Sequence, residues 1–546
     1  MIKFLLIALV VCTSVLSSQI LRIGLSSKIL TLNPYFALDT ESQQVCDIIY
    51  AGLIDLNNQL ETIPQMAQTH TTQWLISEKS GSKVLTIPLR ENIYWHDAKQ
   101  FTAFANLQKF SSKDVARSFT ILKNSPKIPY SRKVRDIMEI NIRNTNVEVV
   151  YERGRFSYEC LNFKLLPAFY FDRIMPPIDN SNCRFGQVVN NKALVSGTGY
   201  YKVRKWDTLA EKLLLEFTNN GLTDKKSFVT HIELNVNTDP EARINDLING
   251  SIHLVLDLEP EYYQQISEPL EAIDYPSVYL AAIFFNYNPA RANYNYIIDK
   301  NFRRALIHAL DRRRIYQEVY SILGEYPRVT GPFLPGQGSY NDAVTPYPYD
   351  PDAAKLMLPE RFRTERIRFE LLVYDESQRR YNEAIANKIA DDLQNTLNIN
   401  VDVRLATNKE QYYQQIENSN FDMVLYEWAS SVKPDISMWE KPAYQDGSPN
   451  NNNFSKYEYL GDGLIPDTTF YNDLSTIKYE REDNQKILEA YKRIHATLHD
   501  DVAALFLWNK KVYVAMNRAE QYGFGRRKLP YIKTNPVNFL KSIKDW

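Results

Sequence analysis

Two stretches set residues at spacings that chemistry uses. His495 and His499 stand four apart, which on a helix brings both imidazoles to one face and could hold a divalent metal. A zinc peptidase also needs a glutamate directly after the first histidine as general base, and Ala496 stands there. With Asp500 and Asp501 following, the pair reads as a partly exposed helical face. Ser80-Gly81-Ser82-Lys83 has the S-x-x-K spacing in which a lysine can activate a serine nucleophile, but its partner triplet, Lys533-Thr534-Asn535, carries Asn where that chemistry uses Gly. There is no G-x-S-x-G elbow, the strained turn that would expose an esterase serine. Gly197-Thr198-Gly199 starts like a phosphate-cradling loop, yet no third glycine or helix start follows and residues 200–203 continue as strand. No cysteine pair has metal-like spacing. No catalytic residue, metal site or cofactor is therefore expected, and the chain reads as a non-enzyme.

What such residues would be mounted on is set first by the whole chain. Its 546 residues suggest two to four domains, and hydrophobic (44%) and charged (24%) fractions are those of an ordinary globular protein. With 64 basic and 65 acidic residues there is no electrostatic footprint for nucleic acid or an anionic membrane, so a partner must be held by local chemistry. Lys3, an apolar run at 4–11 and small residues at 14–18 have the layout of a secretory signal, with cleavage expected after Ser17. Cys12 follows Leu9-Val10-Val11 rather than the small residue a lipid-anchor signal uses, so the exported protein is expected to be free of a lipid anchor. Export leaves Cys46, Cys160 and Cys183. The two closest in sequence, Cys160 and Cys183, could close a loop and leave Cys46 as a buried thiol, with other pairings open.

Hydrophobic periodicity is clearest between 368 and 428. Residues 369–374 read as a strand. Ile385, Ile389, Leu393 and Leu397 form one helical face, and Ile399, Val401, Val403 and Leu405 alternate as a strand. A helix at 411–416 and a strand at 422–428 complete a β-α-β-α-β unit that favours a largely parallel sheet. A second unit places alternating Ile232, Leu234 and Val236 before Asp239-Pro240, which caps and starts a helix that Gly250 stops ahead of a strand at 252–256. The stretch 59–90, with short alternating runs and turn residues, reads as β-rich. Long helices are expected near 302–320 and 484–498. The fold class is thus α/β, with two α/β lobes and a separate β-rich part.

Six separated segments resemble, in order, extracellular solute-binding protein family 5, which includes oligopeptide-, dipeptide- and nickel-binding proteins of bacterial ABC importers. They are LRIGLSSKILTLNPYFALD (21–39), LRENIYWHDAKQFTAFANLQKFSSKDVARSFTIL (from 89), GTGYYKVRKW (197–206), FFNYNPARANYNYIIDKNFRRALIHALDRRRI (284–315), FDMVLYEWASSVKPD (421–435) and NQKILEAYKRIHATLHDDVAALFLWNKKVYVAMN (484–517). The resemblance implies a periplasmic-binding-protein-like fold whose lobes are joined by a hinge. The expected layout is a signal peptide at 1–17, lobe I at 18–50 and 191–280, a β-rich subdomain inserted at 51–190, lobe II at 281–504, and a return to lobe I at 505–546.

It also implies a periplasmic monomer that closes on a small molecule or peptide and delivers it to the membrane permease of an ABC importer. The alternatives are an exported hydrolase of peptides or cell-wall fragments, or the same fold used for a nickel chelate, a saccharide, or an adhesin or chaperone role. Peptide binders of the family add the ligand as an extended strand, so the implied ligand-binding edges are Ser27, Lys28, Ile29 and Leu30 from lobe I, and Glu427, Trp428, Ala429, Ser430 and Ser431 from lobe II. The family's Asp that anchors the ligand's α-amino group falls on Ser431, so the anchor is missing. Glu427 or Asp435 could replace it, or both could be structural carboxylates. Trp428 either stacks on ligand or fills the core.

Overall fold

The computed structural model describes residues 19–519 and 539–545, apart from 38, 57–61, 98–107, 127, 153–157, 180–181, 191, 224–225, 323–325, 376–380, 431–433, 444–449, 451, 461–467 and 481–483. The expected signal sequence, Ser431 and the triplet Lys533-Thr534-Asn535 lie outside the described residues.

A ten-stranded mixed sheet runs through the molecule. Its order is Tyr201–Asp207, Lys212–Phe217, His231–Val236, Ile20–Leu25, Leu254–Val255, Ala504–Asn517, Leu270–Phe285, Met423–Ala429, Arg368–Val373 and Asn400–Leu405. At one end Ile20–Leu25 is parallel to both His231–Val236 and Leu254–Val255, and its Leu21 and Ile23 are wholly buried. Asp239 accepts a hydrogen bond from Glu241 N (3.0 Å) at the start of the helix Pro240–Asn249. Gly250, at φ 78°, ends it in the left-handed conformation that glycine adopts at least cost. At the other end Arg368–Val373 is parallel to Asn400–Leu405 and to Met423–Ala429, with helices Tyr381–Leu397 and Lys409–Glu417 as crossovers. Both α/β units therefore form where periodicity located them.

Two apolar cores result. One gathers Ile23, Val45, Ile232 and Leu254 with Phe539, Leu540 and Ile543 from the C-terminal end. The other gathers Phe284, Leu306, Leu371, Ile389, Met423 and Trp508. The strands Leu270–Phe285 and Ala504–Asn517, and the short Leu254–Val255, contribute to both. Tyr275, Val514 and Met516 pack in the first core, and Leu280–Phe285 with Leu505–Trp508 in the second. Tyr513 and Ala515 also pack in the second core, from the opposite face, and next to them the register between the two long strands slips: Pro276 pairs with Lys511, but Leu280 with Asn509. Such a bulge bends a strand locally, and Asn509 holds this one, its Nδ2 donating to Ser277 O (2.8 Å) and Tyr279 O (2.9 Å).

The β-rich part is a four-stranded antiparallel sheet ordered Leu75–Lys79, Ser82–Pro88, Asn146–Tyr151 and Ile137–Arg143. Ser80 and Gly81, both at positive φ (54° and 80°), make the two-residue turn between the first two strands, the conformation that suits a tight hairpin. The S-x-x-K spacing is thus hairpin geometry. Asp114 of the 89–122 segment closes a capping box with Ser111 on the helix Ser112–Lys123 and also accepts from Ala168 N (2.8 Å); burial lifts its carboxyl to about 6.

Three expectations are corrected. The helix expected over 302–320 is two, Lys300–Ala309 and Arg312–Tyr320, because Leu310 is extended and Asp311 caps the second by accepting from Arg314 N (3.0 Å). Cys160 and Cys183 are not paired. All three described cysteines are buried thiols outside any disulfide, with Cys160 against the Tyr151 hydroxyl and Cys183 against the Asn33 amide. His495 and His499, on the helix Asn484–Asp500, do not form a solvated face. His495 is fully buried, its Nε2 lies 2.8 Å from Thr330 Oγ1, and its ring meets Tyr340. His499 Nδ1 lies 2.8 Å from Thr330 O and its ring stacks on Tyr347.

Candidate ligand-binding site

In open α/β sheets ligands collect beyond the carboxyl ends of parallel strands. The strands of the first unit end at Ser26 and Asp257, joined by a 2.9 Å hydrogen bond from Ser26 Oγ to Asp257 Oδ2. Those of the second end at Asp375 and Ser430. Between them lies the bulge of the crossing strand. There Ser430 N donates to Val278 O (2.8 Å), Tyr279 N donates to Ser277 Oγ (3.0 Å), and the Tyr279 side chain is 39% exposed.

Across this point the sheet carries an ion pair. Ala281 pairs with Glu427 on one side and with Trp508 on the other, so these three side chains share a face, and Lys510 follows Trp508 two residues on. The methyl group of Ala281 leaves room for Lys510 Nζ to reach Glu427, at 3.3 and 3.5 Å from its two carboxylate oxygens. Glu427 holds the Lys510 ammonium well above the ordinary lysine range against an opposing desolvation, although the Lys510 side chain is 40% accessible. Asp257 supports the Lys510 charge from the first unit. Asp375, whose carboxyl is raised by burial and further by Glu427, faces the pair from the second. Tyr130, from the turn Pro129–Val134, is pushed up to about 12, mainly by burial and in small part by Tyr279.

The expected residues are distributed unevenly about this point. Glu427, Trp428, Ala429 and Ser430 sit together at the strand end beside Tyr279. Glu427 is neither solvated nor free, being bound to Lys510. Trp428 is half-buried and meets Phe284 edge-on at 5.5 Å, so it belongs at least partly to the core. Ser430 is 8% exposed and its Oγ has no partner. Asp435 is spent on its own turn, accepting from Ser437 N (2.8 Å). In the first unit Ser27 and Lys28 are exposed, with Lys28 ion-paired to Glu211, and Ile29 packs partly on the core. Leu30, 71% exposed, already donates its N–H to Ser42 Oγ (3.0 Å).

Sequence reasoning passed over Lys510, Tyr279, Tyr130, Asp257 and Asp375. Only Lys510 left a signal, since Lys510-Lys511 interrupts an otherwise apolar strand. Gly197-Thr198-Gly199 proves to be a packing motif. Gly199 N donates to Ile49 O (2.8 Å), and a Cβ on Gly197 would lie 2.0 Å from that same oxygen. Among the described residues no group of three or more His, Cys, Asp or Glu is placed to hold a metal ion, and no helix is long and apolar enough to cross a membrane.

The model of the bacterial extracellular solute-binding proteins, family 5, matches residues 61–450. The chain belongs to that family. Family 5 proteins are the solute-binding components of ABC importers. This member is 22% identical over 471 residues to the dipeptide-binding protein of Escherichia coli (strain K12), covering 83% of this chain and 82% of the relative. Among solved structures it is similar to NikA from Brucella suis in complex with Fe(III)-EDTA (TM-score 0.73, 18% identity, 94% of this chain and 97% of that one). It is also similar to the periplasmic binding protein DppA from Helicobacter pylori in complex with peptide STSA (TM-score 0.69, 18% identity, 95% and 96%). The family 5 architecture is the one described above, α/β with two lobes.

Proposed function

We propose that this family 5 protein is the extracytoplasmic binding component of an ABC importer, exported to the periplasm and acting as a monomer. It captures a peptide or peptide-like ligand between its lobes and passes it to a membrane permease without making or breaking a bond in it. The observation that carries this reading is that strand ends from both α/β units point toward the bulge of the one strand between them, with Lys510 and Tyr279 partly exposed there. In this reading lobe I is interrupted at 51–190 and resumed along the strand Ala504–Asn517, whose Leu505–Trp508 still pack in the second core. Bending at Pro276–Leu280, where the register slips, would let one lobe close on the other.

Titration calorimetry of the ligand-stripped protein against peptide, glycan and metal-chelate panels tests it. Saturable binding to one class is expected, and Ser430→Trp should abolish it by filling the strand end. A folded protein that binds none of the three, or that consumes any of them, refutes the proposal.

A further inference from the structure

One side chain braces the bulge of the strand Leu270–Phe285. Between the pairs Pro276–Lys511 and Leu280–Asn509 three residues, Ser277, Val278 and Tyr279, stand opposite one, Lys510. Extended backbone turns successive carbonyls to opposite sides, and here each finds a donor from a different segment. Asn509 Nδ2, with two protons to give, donates to Ser277 O (2.8 Å) and Tyr279 O (2.9 Å), while Ser430 N donates to Val278 O (2.8 Å). Tyr279 N turns back onto Ser277 Oγ (3.0 Å). Lys510, the residue directly opposite, is engaged with Glu427.

Asn509 is itself held from behind. It is 4% exposed, its own N–H donates to Pro327 O (2.8 Å), and the neighbouring Arg328 bridges Trp508, which is wholly buried in the second core. The body of the residue thus belongs to the side of the molecule that contains Trp508, and its amide grips the strand that arrives from the other side. Across a bulge of this size no regular ladder sets the bend, so two carbonyls held by one planar amide restrict it. Without that amide both carbonyls lose their donor, and the strand can bend until water or other backbone satisfies them. The same bulge carries the exposed Tyr279 and, through Val278 O, holds Ser430 of the expected ligand edge. Its bend therefore decides how the two groups of strand ends stand to each other.

Resting on the reading of the chain as a binding protein whose lobes close, we propose that Asn509 is a positioning residue for ligand capture: through the bulge its amide limits the range of angles between the lobes, and so sets the affinity for a guest it does not touch. Asn517, at the far end of the strand Ala504–Asn517, supplies the control, because at 1% exposure its Nδ2 also donates to a backbone carbonyl, Leu247 O (2.7 Å), but away from the bulge. Nitroxide labels on Leu209→Cys and Leu356→Cys, positions 97% and 77% exposed on the two expected lobes, report the interlobe distance in the stripped full-length mature protein by double electron–electron resonance, the native thiols being buried. Calorimetry with one tripeptide mixture reports affinity. Asn509→Ala should widen the distance distribution and weaken binding about three- to tenfold, as fewer molecules hold the competent arrangement. Asn517→Ala, although less stable than wild type, should change neither. Asn509→Ser, which keeps one donor, should fall between, and is the variant read if the alanine protein does not fold. An unchanged distribution or affinity in the Asn509 variants, or an equal change in Asn517→Ala, overturns the proposal and leaves the binding function standing. Wild-type protein that binds nothing in the mixture overturns both.

Discussion

Lys510 reaches Glu427 across an intervening strand, over the methyl group of Ala281, beside the bulge of that strand. Ala281 is 1% exposed and has no slack around it. Ala281→Leu would place a branched side chain between the charged groups, and overpacking of this kind costs about 1–3 kcal/mol. A lower denaturation midpoint together with weakened ligand binding is expected from parallel chemical denaturation and calorimetry. A variant with wild-type stability and affinity would show that the bridge does not depend on that gap.

Gly197 is held to glycine by the end of the helix Thr40–Ile49 rather than by any phosphate. Its missing Cβ would overlap Ile49 O at 2.0 Å, a backbone atom that cannot turn aside as a side chain could. Gly197→Ala should therefore cost at least about 2 kcal/mol, at the upper end for ordinary substitutions. Urea unfolding measures it, and a loss under about 0.5 kcal/mol, the size of a neutral surface change, would contradict the contact.

The C-terminal end is tied to the first core by charge. Lys541 Nζ lies 2.7 Å from Asp55 Oδ1 and 3.7 Å from Asp47 Oδ2, and Asp47 also pairs with Lys164 at 2.8 Å. The Asp55 side chain is only 7% exposed. Lys541→Met would remove the cation nearest Asp55, with the Gln65 amide (3.2 Å) and the field of Lys164 among what remains, and removing one partner of a buried pair costs about 3 kcal/mol. Faster proteolysis at the C-terminal end should accompany the loss. Unchanged stability and unchanged cleavage would mean that residues 539–545 are held by packing alone.

His495 makes stability depend on pH with a definite sign. Burial lowers its pKa from 6.5 to about 3, so between those values the unfolded chain takes up a proton that the folded one refuses. Its contribution is fully present above pH 6.5 and declines as the pH falls toward 3, by on the order of 2–3 kcal/mol at pH 4. His495→Gln, less stable at pH 7 for loss of packing, should lose less than wild type on going from pH 7 to pH 4 in melting experiments. Parallel curves for the two proteins would show that the imidazole is protonated in the fold.

Much of this architecture was legible because local signals agreed with the global fold. Ile385, Ile389, Leu393 and Leu397 defined a helix face, and Asp239-Pro240 with Gly250 bracketed another helix in chemistry that needs no tertiary help. The break at Leu310-Asp311 was missed because the apolar pattern runs on through it, and only the Asp cap shows that the helix restarts. Of the candidate site, Glu427, Trp428, Ala429 and Ser430 were named through the family resemblance, and their place at the end of a recognisable strand agrees with it. Lys510 and Tyr279 were not, since each is brought in by pairing between segments dozens to hundreds of residues apart. Alternation says which face a side chain is on and is silent about what stands opposite. That Glu427 is occupied follows only from the order of three strands.

The most direct test of ligand capture is native mass spectrometry of the exported protein purified without denaturation. One small molecule per chain is expected, released intact on unfolding and taken up again on refolding. A protein that carries no guest from its own compartment and takes up none from a cell extract, or that returns its guest chemically changed, contradicts the claim that this chain binds and does not transform.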